Sequence, residues 1–229
     1  MTPNTYGFIG LGLIGGSIAK AIKTVCPDAG IIAFDANADS LALAKKEKIA
    51  DDIFSAADAE AFSALGSCEF IFLCAPVSAN DKNLEMMLPH LSEGSLLTDV
   101  GSVKNTIHST IDSLGLSHRF IGGHPMAGSE KSGYKNADQK ILENAYYILT
   151  PGKGVPRERV DALKELVQKM RAIPLILEAD QHDYITAAIS HLPHIIASSL
   201  VNLVHDEDDN GLTKMIAAGG FKDITRIAS

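Results

Sequence analysis

The stretch YGFIGLGLIGGSIAKAI, residues 6–22, decides the fold of this chain. Residues 6–9 are an apolar run typical of a strand, Gly10-x-Gly12-x-x-Gly15 follows, and apolar residues at helical spacing end the stretch. In such a unit the first glycine makes the tight turn, the second lets the backbone approach a pyrophosphate, and the third lets helix and strand pack closely. The helix N-terminus then faces the anion. The stretch therefore predicts the first βαβ unit of a dinucleotide-binding fold.

Asp35 is the residue that selects between the two nicotinamide cofactors. It follows a second predicted strand, IIAF, and lies twenty residues after Gly15. A carboxylate at this spacing accepts hydrogen bonds from ribose hydroxyls and repels a 2′-phosphate. No arginine follows in DANAD, so the sequence favours NAD over NADP. The alternative is a loop carboxylate or the cap of the helix that begins in ANADSLALAKK.

Strand and helix patterns alternate as far as residue 180, with an amphipathic helix, RERVDALKELVQKM, before the last strand. The further predicted strands are FIFLCAPV (70–77), SLLTDVGS (95–102), RFIGGH (119–124), AYYILTP (145–151) and PLILEAD (174–180). This alternation predicts an α/β fold built on a doubly wound, Rossmann-type sheet. Ligands bind such sheets beyond the carboxyl ends of the strands. Those ends carry Gly10, Asp35, Pro76, Ser102 and His124.

After residue 180 the pattern becomes helical. Residues 181–211 are predicted to form one long helix that ends in a solvated turn, DEDDN (206–210). One face of that helix is an apolar stripe made of Ile185, Ile189, Leu192, Ile196, Leu200 and Leu203. The opposite face is small and polar, as in a helix that lines a cleft, and carries Asp183, Ala187, Ser190 and His194.

A last predicted helix, GGFKDITRIAS, has Phe221 and Ile224 on one side and Lys222 and Arg226 on another. We therefore predict a nucleotide-binding domain over residues 1–180 and a partial helical domain over residues 181–229.

Composition excludes several classes of partner. The formal net charge of −8 leaves no basic surface for nucleic acid or an anionic membrane. No apolar run approaches the roughly 20 residues of a membrane span, and no secretory signal is visible at the N-terminus. Three cysteines, Cys26, Cys68 and Cys74, fit neither a disulfide framework nor a metal site. We therefore expect a cytoplasmic protein.

Five segments, in this order, resemble the prephenate dehydrogenase family, which also includes arogenate dehydrogenases: GFIGLGLIGGS, DVGSVK, GGHPMAGSE, SHLPH and GGFKDITRIAS. The first is shared by many dinucleotide enzymes, whereas the other four are specific in combination. The resemblance runs from Gly7 to the last residue and implies a nucleotide-binding domain followed by an all-helical domain. It also implies oxidative decarboxylation of prephenate with NAD, giving 4-hydroxyphenylpyruvate, carbon dioxide and NADH on the route to tyrosine.

The same resemblance implies site residues. His124 matches the catalytic histidine that hydrogen-bonds the C4 hydroxyl of the substrate, and a neutral imidazole suits that proton acceptance. Ser102 matches a serine near the nicotinamide and the same hydroxyl, and Arg226 matches the arginine on the ring carboxylate. The other substrate positions are Lys222, His194, Ser129 and Glu130. The cofactor positions are Gly10, Gly12, Leu13, Ile14, Gly15, Asp35, Ala75, Pro76, Gly101 and Ser102.

Several alternatives stay open at this point. Ser102 is also a suitable cap for the helix that starts in VKNT, Lys222 and Arg226 also suit a solvated helix face, and Glu130 also suits a surface position. At the level of function the alternatives are an arogenate dehydrogenase and a nucleotide-binding remnant that has lost catalysis.

The family usually continues beyond the arginine motif through more helices, which complete the second domain and much of a dimer interface. Because the apolar stripe needs a cover, we expect a homodimer through residues 181–229. We also expect activity below that of a full-length relative.

Overall fold

A computed structural model of the chain describes residues 5–206 and 211–228, apart from the side chains of Val77 and Ser78. The described residues divide into two compact units, the first ending at Ala179 and the second beginning at Asp180. The first unit contains one eight-stranded sheet with helices, and the second unit is helical.

The sheet of the first unit has the strand order β3-β2-β1-β4-β5-β6-β7-β8. Its strands are β1 (Thr5–Ile9), β2 (Gly30–Phe34), β3 (Asp52–Phe54), β4 (Phe70–Leu73), β5 (Leu96–Asp99), β6 (Phe120–Pro125), β7 (Tyr146–Pro151) and β8 (Ile173–Ile176). Its helices are α1 (Leu13–Val25), α2 (Ala38–Lys46), α3 (Ala61–Gly66), α4 (Val77–Met87), α5 (Asn105–Ser113) and α6 (Arg157–Lys169). This architecture confirms the predicted doubly wound α/β fold.

Helices cover both faces of the sheet, which explains why the central strands read as continuous apolar runs. Along β4, Phe70 and Phe72 join one buried cluster, whereas Ile71 and Leu73 join the other. The rings of Phe8 on β1 and Phe72 on β4 stack with their centroids 4.9 Å apart. α1, α2 and α6 supply side chains to the first cluster, and α3, α4 and α5 to the second.

One pairing departs from the parallel pattern. β7 pairs antiparallel with β6, in a register that sets His124 opposite Ile148, and β8 then pairs parallel with β7. β7 and β8 therefore point away from the edge where β1, β2, β4, β5 and β6 end. Gly10, Asp35, Pro76 and Ser102 follow strands that share that edge, and His124 lies near the end of β6.

Several predicted bounds were wrong. The run FIFLCAPV leaves the sheet after Leu73, and α4 begins at Val77. The strand predicted to end at Ser102 ends at Asp99, and the strand predicted over 174–180 spans Ile173–Ile176. The short strand β3 was missed. An apolar run shows which residues are buried, whereas a strand ends where its hydrogen bonds to the neighbouring strand end. The lengths of apolar runs therefore overestimate the lengths of the strands.

The second unit is built on the predicted long helix. It consists of α7 (Ala179–Thr186), a π-helical turn (Ala187–His191) and α8 (Leu192–Asp206), followed by α9 (Leu212–Ile216) and α10 (Gly219–Thr225). The π turn ends two residues before Pro193, which has no N–H to donate to the preceding turn. Asp206 ends α8, and the rest of the predicted DEDDN turn lies outside the described residues.

The apolar stripe of the long helix is largely exposed. Ile189, Leu192, Ile196 and Leu203 are 63%, 51%, 52% and 61% exposed, respectively. The segment Ala179–Asp206 is also long and apolar enough, by length and composition alone, to cross a membrane. The prediction from the sequence considered uninterrupted apolar runs and did not identify this segment, because histidines and serines interrupt its aliphatic residues.

Candidate active site

A cavity of about 730 Å³ lies where the strand order reverses, between β1 and β4. This topological switch point is where open α/β sheets bind ligands. Nine of the ten residues predicted to bind the cofactor line the cavity: Gly10, Gly12, Leu13, Ile14, Asp35, Ala75, Pro76, Gly101 and Ser102. The tenth, Gly15, packs beneath the loop.

The three glycines of the loop each meet a different steric demand. Gly10 has a φ of +93°, and a Cβ there would lie 2.5 Å from the backbone N of Ala75. A Cβ on Gly15 would lie 2.4 Å from the carbonyl oxygen of Gly10. Around Gly12, no atom lies within 4 Å of the Cβ position among the described residues. The backbone of the loop is therefore open to a ligand at Gly12, whereas the backbone at Gly10 and at Gly15 is closely packed.

The N-terminus of α1 provides the matching anion site. Gly12 occupies the N-cap position, no side chain caps the helix, and its first turn contains no acidic residue. The first amide groups of a helix lack intrahelical partners and carry a partial positive charge. Together with the open backbone at Gly12, these groups fit the pyrophosphate of a dinucleotide.

Asp35 ends β2 at the rim of the cavity and also holds the glycine loop. Its Oδ2 accepts a hydrogen bond from the backbone N of Leu11 at 2.5 Å, and its Oδ1 accepts one from the backbone N of Asn37 at 2.7 Å. The cap of α2 is Asn37, whose side chain accepts from the backbone N of Ser40. Asp35 is therefore not the helix cap, and each of its oxygens retains further acceptor capacity.

A buried ion pair supports the two strands next to the cavity. Asp99 and Lys104 bond to each other within the DVGSVK segment, and both are almost fully buried. Asp99 also accepts hydrogen bonds from the backbone N of Gly101 at 2.9 Å and of Gly123 at 3.0 Å. Lys104 donates to the carbonyl oxygen of Gly123 at 2.8 Å. This pair was not predicted from the sequence, although a lysine five residues after an aspartate at the end of a predicted strand was a usable signal.

His124 and Ser102 follow the two residues that the pair holds. His124 lies near the end of β6 and is 9% exposed. Ser102 is exposed and lines the cavity. The alternative in which Ser102 caps α5 is excluded, because that helix begins at Asn105 with Lys104 in the N-cap position.

The loop after β6 reaches the cavity as well. Ser129 and Glu130 are exposed in this loop, and the Oγ of Ser129 accepts a hydrogen bond from the backbone N of Lys131. Lys131, Ser132 and Gly133 line the cavity and were missed by the sequence analysis. Sequence motifs for nucleotide binding describe residues at strand ends. These three residues instead belong to the loop that follows β6, which such motifs do not include.

Burial keeps two ionisable side chains near the ion pair uncharged. Burial raises the pKa of the Cys74 thiol and the pKa of the Tyr147 hydroxyl, so both groups stay protonated. Burial lowers the pKa of His108, whose Nε2 lies 2.9 Å from the Oγ1 of Thr150. The His108 ring also packs edge-on against Phe120, which identifies it as a packing residue.

The remaining predicted substrate residues belong to the second unit. His194 is exposed on α8, Lys222 is exposed on α10, and Arg226 is exposed directly after α10. Arg226 occupies the C-cap position of α10, one turn after Lys222.

Comparison with known proteins identifies the family to which this chain belongs. A family model described as the nucleotide-binding domain of prephenate dehydrogenase matches residues 18–174. A second model, described as the dimerization domain of prephenate dehydrogenase, matches residues 178–229. The chain is 42% identical to the prephenate dehydrogenase of Bacillus subtilis over 230 residues, which cover 99% of this chain and 61% of that protein. It therefore spans about three fifths of the length of that relative.

Two solved structures are similar over nearly the whole chain. One is the prephenate dehydrogenase of Aquifex aeolicus in complex with hydroxyphenyl propionate and NAD+, at 30% identity and a TM-score of 0.89, covering 100% of this chain and 79% of that chain. The other is the arogenate dehydrogenase of Synechocystis, at 30% identity and a TM-score of 0.84, covering 98% of this chain and 79% of that chain.

Proposed function

This chain belongs to the prephenate dehydrogenase family, and we propose that it catalyses the oxidative decarboxylation of prephenate to 4-hydroxyphenylpyruvate with reduction of NAD+. The observation that carries the proposal is the cavity at the switch point of the sheet, where the glycine loop, Asp35 and Ser102 meet. The reaction belongs to tyrosine biosynthesis. The first domain, over residues 1–180, binds the nucleotide, and residues 181–229 contribute substrate binding and dimerization.

NAD is the proposed cofactor. Gly10, Gly12 and Gly15 with the first turn of α1 are proposed to hold its pyrophosphate, and Asp35 its adenosine ribose. The bound complex of the Aquifex relative supports this choice of cofactor. The chemistry that bound NAD would supply at this site is acceptance of a hydride from C4 of the substrate.

His124 is the proposed general base. It accepts the proton of the C4 hydroxyl through its neutral imidazole, a role typically worth about 10²–10⁴-fold in rate. Its position near the end of β6, the strand that pairs with β5 before Ser102, supports this role, and the Asp99–Lys104 pair holds the backbone directly before it. Ser102, on the neighbouring strand end, orients the same hydroxyl.

The substrate carboxylates are proposed to bind cationic side chains of the second unit. Arg226 binds the ring carboxylate through its planar guanidinium, which matches a carboxylate in two parallel hydrogen bonds. Lys222 adds positive charge one turn away, and His194 binds the side-chain end of the substrate. Ser129 and Glu130 contribute to the mouth of the site.

We also propose a homodimer formed through the second unit. The family model for this region is described as a dimerization domain, and the exposed aliphatic residues of the π-helical turn and α8 need a cover. A second copy supplies a matching apolar face, so neither a membrane nor, given the acidic net charge, a nucleic acid is required as partner. Three free thiols suit a reducing cytoplasm.

Formation of NADH after addition of prephenate and NAD+ to the purified chain tests the proposal directly. Arogenate, tested in parallel with NAD+ and with NADP+, decides the substrate, because the Synechocystis relative is an arogenate dehydrogenase. Turnover of prephenate supports the proposal. Turnover of arogenate alone, or nucleotide binding without turnover of either compound, would contradict it.

A further inference from the structure

We propose that Lys131 is the cationic partner of the cofactor pyrophosphate, carried over the cavity by a strap that comprises residues 127–133. The proposal rests on the proposed nucleotide site, and it assigns to that site a residue outside the glycine loop.

The charges around the cavity are the first argument. Among the lining residues that the structure describes, one is acidic, Asp35, and one is basic, Lys131. A pyrophosphate brings two negative charges next to the Asp35 carboxylate, whereas the N-terminus of α1 supplies only about half a positive charge. Within the lining that the structure describes, Lys131 is the single cation able to compensate the phosphates.

The anchoring of the strap is the second argument. Directly before the strap, the backbone N of Met126 donates to the carbonyl oxygen of Tyr146, which ties it to the sheet. Directly after it, Tyr134 is 1% exposed, and a Cβ on Gly16 of α1 would lie 2.7 Å from the Tyr134 ring. The Tyr134 hydroxyl donates to Glu47 at 2.8 Å. The strap therefore runs between the sheet and the helix whose N-terminus faces the phosphates.

Conformation within the strap is also defined. The backbone N of Lys131 donates to the Oγ of Ser129 at 2.9 Å, and Gly133 has a φ of +81°, which suits glycine and turns the chain toward Tyr134. The ion pairs of the described residues do not include Lys131. Its ammonium group, a flexible point charge, suits a phosphate ligand.

Calorimetric titration of NAD+, ADP and adenosine tests the proposal without any need for turnover. We expect Lys131→Met to raise the dissociation constants of NAD+ and ADP about tenfold, because both carry the two phosphates, and to leave that of adenosine within about twofold. Lys131→Arg should retain most of the affinity. The matched control is Lys135→Met, which removes an exposed lysine of the same loop that does not line the cavity, and it should bind all three ligands like the parent.

Three outcomes overturn the proposal: unchanged NAD+ affinity in Lys131→Met, an equal loss for adenosine, or an equal loss in Lys135→Met. If the parent chain binds NAD+ and Lys131→Met binds it equally well, only the role of Lys131 fails. If the parent chain binds neither NAD+ nor ADP, the proposed nucleotide site fails with it.

Discussion

Lys104 donates a hydrogen bond to the carbonyl oxygen of Gly123, the residue directly before His124, at 2.8 Å. The same ammonium pairs with Asp99, which accepts hydrogen bonds from the backbone N of Gly101 and of Gly123. One buried ion pair thus bonds to the backbone directly before Ser102 and directly before His124. These are the two residues proposed to contact the reacting hydroxyl.

Removal of Lys104 should destabilise the first unit. Lys104→Met leaves the buried Asp99 carboxylate without its cation, which typically costs about 3–5 kcal/mol of unfolding free energy. Urea denaturation measures this loss. Lys169→Met is the matched control, since Lys169 pairs with Glu165 on the surface of α6 and its loss should change stability little. Equal stability of the two variants would show that the buried pair does not hold the strand ends.

His124→Asn should separate turnover from cofactor binding. Asparagine keeps a polar side chain of similar size but accepts no proton, so we expect turnover with prephenate to fall about 10²–10⁴-fold. Steady-state kinetics measure turnover, and titration with NAD+ should give the parental affinity. His118→Asn, at an exposed position, is the control. Turnover within about threefold of the parent would refute the assignment of His124 as the base.

Arg226→Ala should weaken the binding of prephenate and leave the binding of NAD+ unchanged. Loss of a guanidinium that binds a carboxylate in two hydrogen bonds should raise the Michaelis constant for prephenate at least about tenfold. The affinity for NAD+ should stay at the parental value. Arg157→Ala, which removes an exposed arginine at the start of α6, controls for loss of surface charge. An unaltered Michaelis constant would mean that Arg226 faces solvent in the active protein.

Asp35→Ala should change the choice of cofactor. The variant lacks the carboxylate that repels a 2′-phosphate, so the preference for NAD+ over NADP+ should fall. NAD+ affinity should fall as well, because the Leu11 amide in the glycine loop loses its acceptor. Dissociation constants for both nucleotides measure the two effects, with Asp39→Ala, at an exposed position of the same segment, as control. A parent that prefers NADP+ would contradict the prediction.

The exposed face of the long helix should mediate dimerization. Sedimentation of the purified chain at micromolar concentration should give a dimer, and Ile196→Glu should give a monomer because it places a charge in an apolar interface. Met86→Glu substitutes another exposed apolar residue, on α4 of the first unit, and should leave the dimer intact. A monomeric parent with full prephenate turnover would overturn the proposal of a functional dimer.

Local sequence was sufficient to predict the framework of this protein. The geometry of the glycine loop could be predicted from the order strand, Gly10-x-Gly12-x-x-Gly15, helix. The positive φ of Gly10 and the close packing of Gly15 are required by residues that lie nearby in this fold. The spacing from Gly15 to Asp35 likewise depends on the length of one βαβ unit, so Asp35 lies at the cavity as predicted. The long helix was predicted from its periodicity, and the lack of a cover for its apolar stripe was predicted from the little chain that follows it.

Tertiary structure alone decided the features that join distant segments. The antiparallel pairing of β7 with β6, the contacts of Asp99 and Lys104 with Gly123, and the position of Lys131 at the cavity all link residues from different elements. Each depends on which strands become neighbours and on where a loop is anchored. Periodicity and motif spacing describe one segment at a time, so the sequence determined the separate elements and the folded chain determined their chemical partners.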